Sequence, residues 1–151
     1  MSRVCREQEK GAFTLVEALV ATAILGTALG GILMAFSAVS GLIITSKDSD
    51  IAAAAAAGVM ENISATPFIN INTTYRSMNF TVNGLPASRG RTYINTSNQT
   101  FLLATVVVCW RQGNRVIGED QNLNGVLDAG EDLNNNSMID SPAGLVTRIA
   151  P

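Results

Sequence analysis

The fold of this chain is decided by residues 10–44, KGAFTLVEALVATAILGTALGGILMAFSAVSGLII. From Ala18 to Ile44 there are 27 uncharged, mostly apolar residues. As an α-helix this run is roughly 40 Å long at about 1.5 Å per residue. A hydrocarbon core is about 30 Å thick, so the run is long enough to span a membrane. One carboxylate, that of Glu17, stands at the start of the run.

Two ordinary kinds of segment share these features. A secretory signal peptide has an apolar core of about 7–15 residues followed by a small-residue cleavage site. The run here is longer, and Ala38-Val39-Ser40 imitates such a site poorly. A plain signal anchor fits the length but gives no reason for Glu17. A carboxylate at membrane depth costs about 2.5–3.5 kcal/mol or more. We therefore expect Glu17 to be present because its carboxylate interacts with a partner. In the first turn of a helix it also complements the positive end of the macrodipole.

Residues 11–26, GAFTLVEALVATAILG, resemble the type III signal sequence of type IV pilins and type II secretion pseudopilins. The resemblance covers about residues 10–45. In that family a membrane-embedded aspartic peptidase cuts before the apolar segment, usually between Gly and Phe, and methylates the new amino terminus. Glutamate is then the fifth mature residue, and its partner is the free amine of a neighbouring subunit during assembly. The resemblance implies that Glu17 has this assembly role.

The cleavage register has two alternatives, because Ala12 lies between Gly11 and Phe13. Cutting after Gly11 makes Ala12 the first residue and Glu17 the sixth. Cutting after Ala12 restores Phe13 as the first residue and Glu17 as the fifth. The second register keeps both family positions and is the one we favour.

The resemblance further implies a structural subunit, a minor pilin or pseudopilin, of a type IV pilus or a type II secretion system. Its expected partners are other pilin or pseudopilin subunits, the prepilin peptidase and an inner-membrane assembly platform. The leader carries Arg3, Arg6 and Lys10. The positive-inside rule therefore predicts a single-pass protein with its N-terminus in the cytoplasm. The resemblance implies that its membrane is the bacterial inner membrane. The rest would be periplasmic, or extracellular within a pilus.

The pattern predicts an α+β protein with three parts: a cleaved leader (1–12), a transmembrane or filament-core helix (13–45) and a globular head (46–151). The Ala-rich run 52–57 should continue the helix to Ala65, and Pro67 should end it. A small antiparallel sheet is expected to follow. Weak alternation marks 68–72, and 86–90 is expected to be a loop. The predicted strands are 79–82, 91–95, 101–110 and 144–149.

Several function classes are disfavoured by composition. The chain has no histidine, which removes His-dependent triads and His-ligated zinc. Its net charge is −2, and the head has no basic cluster, so we expect no nucleic acid. No nucleophile–base constellation is visible, and we expect no enzyme. Cys109, between Val108 and Trp110, is expected to be a small core residue.

A second motif lies at residues 120–131, DQNLNGVLDAGE, which we call the first loop. It matches the twelve-residue calcium-loop pattern, with a glycine at the sixth place for the sharp turn. It is similar to EF-hand, dockerin and thrombospondin-type loops, but it follows a strand and reads as an insertion between two strands. The predicted calcium ligands are Asp120, Asn122, Asn124, the Val126 carbonyl, Asp128 and Glu131.

The pattern repeats at residues 132–143, which we call the second loop. Its predicted ligands are Asp132, Asn134, Asn136 and Asp140. Ser137 replaces the glycine and Ala143 replaces the final glutamate, so this copy is expected to bind calcium more weakly. The alternative is a solvated turn-rich loop, because Asn, Asp and Gly favour turns anyway. The competing function is a membrane-tethered or secreted calcium-dependent adhesion module.

Overall fold

The computed structural model describes residues 13–85, 87–98 and 100–151. The chain divides into two compact units whose boundary falls between Leu42 and Ile43. Helix α1 spans Leu15–Ala65 and is long and apolar enough, by length and composition, to cross a membrane. The predicted leader, with Gly11 and Ala12 of the cleavage motif, lies outside the described residues.

In the second unit, α1 contributes one face to the core. Its buried residues are Ala52, Ala56, Met60 and Ile63. Spacings of four, four and three residues place these side chains on one side of a helix, since residues three and four apart are neighbours on its surface. The small alanines allow close packing, and the two larger side chains fill the core towards the helix end. The Ala-rich run therefore continues the helix and also forms a packing surface.

A short helix, α2 (Phe68–Tyr75), follows Pro67. The weak alternation of residues 68–72 does not correspond to a strand. Pro67 has φ −53°, and the Asn70 N–H donates to its carbonyl at 2.8 Å, which starts the first turn. Only Ile71 of α2 is buried. A five-residue period-two pattern with a single buried position does not fix an element type.

An antiparallel sheet forms the rest of the second unit. Its strands are β1 (Asn79–Phe80), β2 (Ser88–Asn95), β3 (Leu102–Gln112), β4 (Arg115–Ile117) and β5 (Ala143–Ile149). Strand β3 is central: it pairs with β2 on one edge and with β4 and β5 on the other. The α+β class with a long N-terminal helix and a small antiparallel sheet is confirmed.

The strand boundaries differ from those predicted, by one or two residues at the ends of β3 and β5 and in three further places. Strand β1 is shorter than the predicted 79–82, and β2 begins at Ser88, inside the stretch 86–90 predicted to be a loop. Strand β4 was not predicted. A strand of three residues is too short to show an alternating hydrophobic pattern. Its pairing follows from the tight turn at Gly113, whose φ is +59°.

The long acidic segment leaves and rejoins the same edge of β3. Ile117 of β4 lies opposite Trp110, and Ala143 of β5 lies opposite Val108. The segment between them, 118–142, therefore begins and ends on either side of Cys109. This is the predicted position of the two loops, as an insertion between two strands.

The second unit has two apolar clusters, because successive residues of β3 face opposite sides of the sheet. One cluster gathers the buried face of α1 with Val106, Val108 and Trp110. The other gathers Val107 and Cys109 with apolar residues of the two loops. Those loop residues are Leu123, Leu127 and Ile139. The loops thus have apolar anchors of their own on the sheet.

Candidate assembly helix and metal centre

Helix α1 begins with a side-chain cap. The Glu17 N–H donates to Thr14 Oγ1 at 3.3 Å, and the Ala18 N–H donates to the Thr14 carbonyl at 3.1 Å. Thr14 is therefore the N-cap residue, which satisfies one of the free N–H groups of the first turn. This role of Thr14 was not predicted from the sequence. The Thr-x-x-Glu spacing of a capping box was the signal available for it.

The predicted processing and assembly residues that the structure describes are both at the surface. Phe13 is 75% exposed and lies just before the cap. Glu17 is exposed in the first turn of α1. Among residues 13–85, 87–98 and 100–151 the Glu17 carboxylate has no ion pair. A carboxylate here interacts favourably with the positive end of the helix dipole, but its own chain supplies no cation in the part described.

The surface of α1 within the first unit is apolar on every side. Consecutive helical residues are about 100° apart, so three in a row point around the whole axis. Each of the following is more than half exposed: Leu15, Val16, Leu19, Val20, Ile24, Leu25, Leu29, Ile32, Leu33, Met34, Phe36, Val39 and Leu42. A helix that is apolar all round is buried in a large core or in a membrane.

The first loop is folded by its own side chains. Asp120 is 1% exposed and accepts the Asn124 N–H at Oδ1 (3.0 Å) and the Gly125 N–H at Oδ2 (2.7 Å). Asn122 Oδ1 accepts the Asn124 N–H at 3.0 Å. Asn124 Oδ1 accepts the Val126 N–H at 2.6 Å. These side chains wrap the backbone around the first, third and fifth places.

The second loop has the same bonds twelve residues later. Asp132 accepts the Asn136 N–H at Oδ1 (3.0 Å) and the Ser137 N–H at Oδ2 (2.9 Å). Asn134 Oδ1 accepts the Asn136 N–H at 3.1 Å, and Asn136 Oδ1 accepts the Met138 N–H at 2.8 Å. The weak sequence match of the second loop therefore does not correspond to a different fold.

Backbone angles agree between the loops as well. At the fourth place φ is +57° for Leu123 and +58° for Asn135. At the sixth place φ is +77° for Gly125 and +61° for Ser137. A left-handed conformation is free for glycine and costs about 1–2 kcal/mol for another L-residue. Ser137 adopts the left-handed conformation despite this strain. The second loop therefore makes the same turn as the first, although it has no glycine at the sixth place.

At the ninth place, each loop has a carboxylate that faces two amide groups. Asp128 Oδ2 accepts from Asn122 Nδ2 at 2.7 Å and from Asn124 Nδ2 at 2.8 Å. Asp140 Oδ2 accepts in the same way from the third- and fifth-place amides of the second loop. In each loop the third-, fifth- and ninth-place side chains thus meet at one carboxylate oxygen.

Glu131, at the twelfth place, points to the backbone of the first loop. Its Oε1 accepts the Gln121 N–H at 2.8 Å and its Oε2 accepts the Asp128 N–H at 3.0 Å. Its own N–H donates to the Asp128 carbonyl at 3.1 Å. Glu131 is 8% exposed, and these bonds offset the cost of burying its charge. Its carboxylate ties the second place of the loop to the ninth.

The loops are fixed to the sheet by β2 and by the second apolar cluster. Arg89 Nε donates to the Leu123 carbonyl at 3.2 Å, and Arg91 Nη1 donates to the Gly125 carbonyl. Tyr93 accepts the N–H of Ile139 on its phenolic oxygen at 2.9 Å. Both arginines therefore contact loop carbonyls, and β2 holds both loops.

As for metal ligands, no three side chains of His, Cys, Asp or Glu gather into a group able to hold a metal ion among residues 13–85, 87–98 and 100–151. Asp120 and Glu131 direct their oxygens to backbone N–H groups, and Asp128 faces amides. In the second loop Asp132 likewise accepts from backbone N–H groups, and Asp140 faces amides. The other predicted ligands of both loops are amide and carbonyl oxygens. Calcium binding at either loop stays a prediction.

Comparison with known proteins gives no relative to argue from. No protein-family model, curated protein or solved structure matches this chain. What the site does has to be inferred from its residues alone.

Two titratable groups beneath the loops have perturbed pKa values. Burial raises the pKa of the Cys109 thiol from 9.0 to about 11, and its Sγ lies 3.9 Å from the Asp140 carbonyl. Burial also raises the pKa of Tyr93, against a smaller lowering by its bond from the Ile139 N–H. A thiol protonated at neutral pH is a poor nucleophile, so Cys109 has a packing role, as expected from sequence.

Proposed function

We propose that this chain is a structural subunit of a pilin-like filament, a minor pilin or pseudopilin of a type IV pilus or a type II secretion system. The observation that carries the proposal is the exposed Glu17 carboxylate at the capped start of a helix that is apolar on all sides. An apolar surface of this length needs a membrane or other helices around it. The charge at its edge needs a cation.

A neighbouring subunit supplies both needs at once. In lipid, the Glu17 carboxylate is costly, and an amine from another copy of the same segment would compensate it. Cleavage after Ala12 would put such an amine at Phe13, four residues before Glu17. The N-cap at Thr14 favours this arrangement, because the helix begins immediately after the new terminus and stays ordered up to it.

Before assembly the chain would sit in the inner membrane with its N-terminus in the cytoplasm. The apolar segment then has two environments in turn, lipid and the filament core, and both are water-free. The second unit would lie in the periplasm, or outside the cell once the subunit is in a pilus. Its partners would be other subunits, the prepilin peptidase and the assembly platform.

We further propose that calcium stabilises the two loops. Between residues 116 and 147 there are six acidic residues and no Lys or Arg, and the arginines of β2 contact carbonyls instead of carboxylates. Uncompensated like charges at such spacing repel one another. Calcium takes six to eight oxygen ligands, including carboxylates, amides and backbone carbonyls. The oxygens of Asp120, Asn122, Asn124, Val126, Asp128 and Glu131 match that preference, as do those of the second loop.

The assembly proposal is tested by processing and by incorporation. Co-expression with a prepilin peptidase should shorten the chain by twelve residues and leave a methylated Phe13, as read from intact mass. A loss of eleven residues would place the cut before Ala12. Cleavage near Ser40 would contradict the proposal.

Glu17→Ala should be processed and membrane-inserted like the wild type but should be depleted at least tenfold from sheared filaments. Glu61→Ala is the matched control, because Glu61 is also an exposed glutamate on α1 and lies in the second unit. It should be incorporated normally. Equal amounts of Glu17→Ala and Glu61→Ala in filaments would remove the assembly role of Glu17.

A further inference from the structure

Glu119 lies immediately before the first loop and makes its side-chain bonds to the second. Its Oε1 accepts the Leu133 N–H at 3.2 Å and its Oε2 accepts the Asp140 N–H at 3.0 Å. Its own N–H donates to the Asp140 carbonyl at 2.9 Å. The side chain is 8% exposed, so these are bonds of a buried carboxylate.

The three bonds are those of Glu131, transferred to the other loop. Leu133 and Asp140 are the second and ninth places of the second loop, as Gln121 and Asp128 are of the first. The corresponding distances are 3.2, 3.0 and 2.9 Å for Glu119 and 2.8, 3.0 and 3.1 Å for Glu131. Both glutamates are 8% exposed. The two carboxylates therefore accept equivalent hydrogen bonds, each in one loop.

The second loop needs such a residue from elsewhere. Its own twelfth place is Ala143, which begins β5 and pairs with Val108 of β3. An alanine offers no side-chain oxygen, and this one is 5% exposed within the sheet edge. The residue that stands in for it is separated from Leu133 by 14 positions and from Asp140 by 21.

We infer that Glu119 is the closing carboxylate of the second loop, so that each glutamate that directly precedes one loop closes the other, which we call reciprocal closure. Glu131 directly precedes the second loop and closes the first. Glu119 directly precedes the first loop and closes the second. Residues 119–140 are then one closed unit, and neither loop keeps its shape without a glutamate located outside it or at its far end.

One consequence concerns cations and rests on the proposed calcium binding. With Glu119 in the twelfth-place role and Ser137 in the sixth-place conformation, the second loop lacks nothing that the first has. Calcium should then bind both loops with comparable affinity, instead of the weaker second site that the sequence predicts.

Amide hydrogen exchange tests the inference, on the full chain in detergent micelles with a calcium chelator present. Glu119→Ala should speed exchange at Leu133 and Asp140 tenfold or more, as expected when a buried N–H loses a charged acceptor. Exchange at Gln121 and Asp128 should change less. Glu131→Ala should give the mirror result, and Glu61→Ala should change neither loop.

The inference is overturned if Glu119→Ala leaves Leu133 and Asp140 within twofold of the wild type, or accelerates Gln121 and Asp128 more than these two. If Glu119→Ala unfolds the second unit, Glu119→Gln replaces it. Glutamine keeps one oxygen acceptor, so exchange should then quicken at one or both of the same two amides, and an unchanged rate at both overturns the inference.

A calcium titration of the same samples separates this inference from the proposed function. Wild-type chain should bind two calcium ions, and Glu119→Ala should lower affinity at one site at least tenfold. A wild type that binds no calcium refutes the cation proposal but leaves the exchange result standing. Calcium binding together with unchanged second-loop exchange in Glu119→Ala refutes the reciprocal closure alone.

Discussion

Cys109, a residue of the sheet, contacts the second loop through its Sγ atom. It lies in β3, is fully buried, and its Sγ is 3.9 Å from the Asp140 carbonyl. Burial raises its pKa to about 11, because the thiolate loses hydration that the thiol does not need. The sequence predicted a core residue here from its apolar neighbours, and the structure confirms it. The contact with a loop 31 residues away was beyond any local pattern.

The raised pKa of Cys109 has a definite sign for stability. The folded state disfavours the thiolate, so this stabilisation is complete below about pH 9 and is lost as pH rises through about 11. The free energy of unfolding should fall by about 2–3 kcal/mol over that range from this group alone. Tyr93, whose pKa is also raised, acts in the same direction.

Urea denaturation of a head beginning at Ser46, from pH 8 to 11, measures this loss. Cys109→Ala should show a shallower decline than the wild type, though not a flat one, because Tyr93 remains. Identical slopes in the two proteins would mean that Cys109 is not desolvated in the folded state.

At the scale of elements, the junction between β4 and the first loop has almost no spare space. Gly118 has φ +110°, and a Cβ there would lie 2.3 Å from Cys109 Sγ and 3.2 Å from the Asp140 carbonyl. Gly118→Ala therefore combines backbone strain with overpacking and should lower the free energy of unfolding by about 3 kcal/mol.

Gly113 is the matched control, because it also has positive φ, +59°, but open space around its Cβ position. Gly113→Ala should cost only the backbone strain, about 1 kcal/mol. Denaturant unfolding of the same head would measure both losses. Equal losses for Gly113→Ala and Gly118→Ala would refute the steric contact with Cys109.

The elements that the sequence predicted are those with long uniform patterns. The apolar and Ala-rich runs gave α1 to its last residue, and the β-branched run around Val106–Val108 gave the central strand. Helix α2 and strand β4 were missed or misread because each is short and its type depends on one neighbour, Pro67 in one case and β3 in the other. Local propensity has little weight against such contacts.

The positions of the two loops could be predicted from the sequence, but the contacts that close the second loop could not. Spacing alone delimited two loops of twelve residues each and located the turn. It also took Ala143 for a defect, because a twelve-residue pattern has no place for Glu119. That glutamate reaches its partners across 14 and 21 positions, and only the folded chain brings them together.

For the whole molecule, calcium should couple the loops to the stability of the second unit. Binding to the folded state adds RT ln(1 + [L]/Kd), about 2.7 kcal/mol at a hundredfold excess of calcium. For a head of about a hundred residues, Tm should rise on the order of 10 °C. Magnesium should substitute poorly, since it demands a tighter six-oxygen shell.

Thermal melting of the head with calcium, magnesium or chelator checks this. Asp120→Ala and Glu131→Ala, which affect the first loop, should each remove about half of the rise. Asp128→Ala and Asp140→Ala form a matched pair at the ninth places, and equal losses are expected if the loops are equivalent. A Tm that calcium does not move would leave both loops as solvated turns.

Reciprocal closure also has a consequence for how this segment can change length over generations. Deleting residues 120–131 would join Glu119 directly to Asp132 and leave the surviving repeat with no twelfth-place carboxylate, since Ala143 cannot provide one. Duplicating the second repeat, 132–143, would likewise add a loop that has no twelfth-place glutamate of its own. Insertions and deletions that keep the fold should therefore leave every loop a glutamate in the twelfth-place role, and among descendants of this sequence extra copies of residues 120–131 should be commoner than extra copies of residues 132–143.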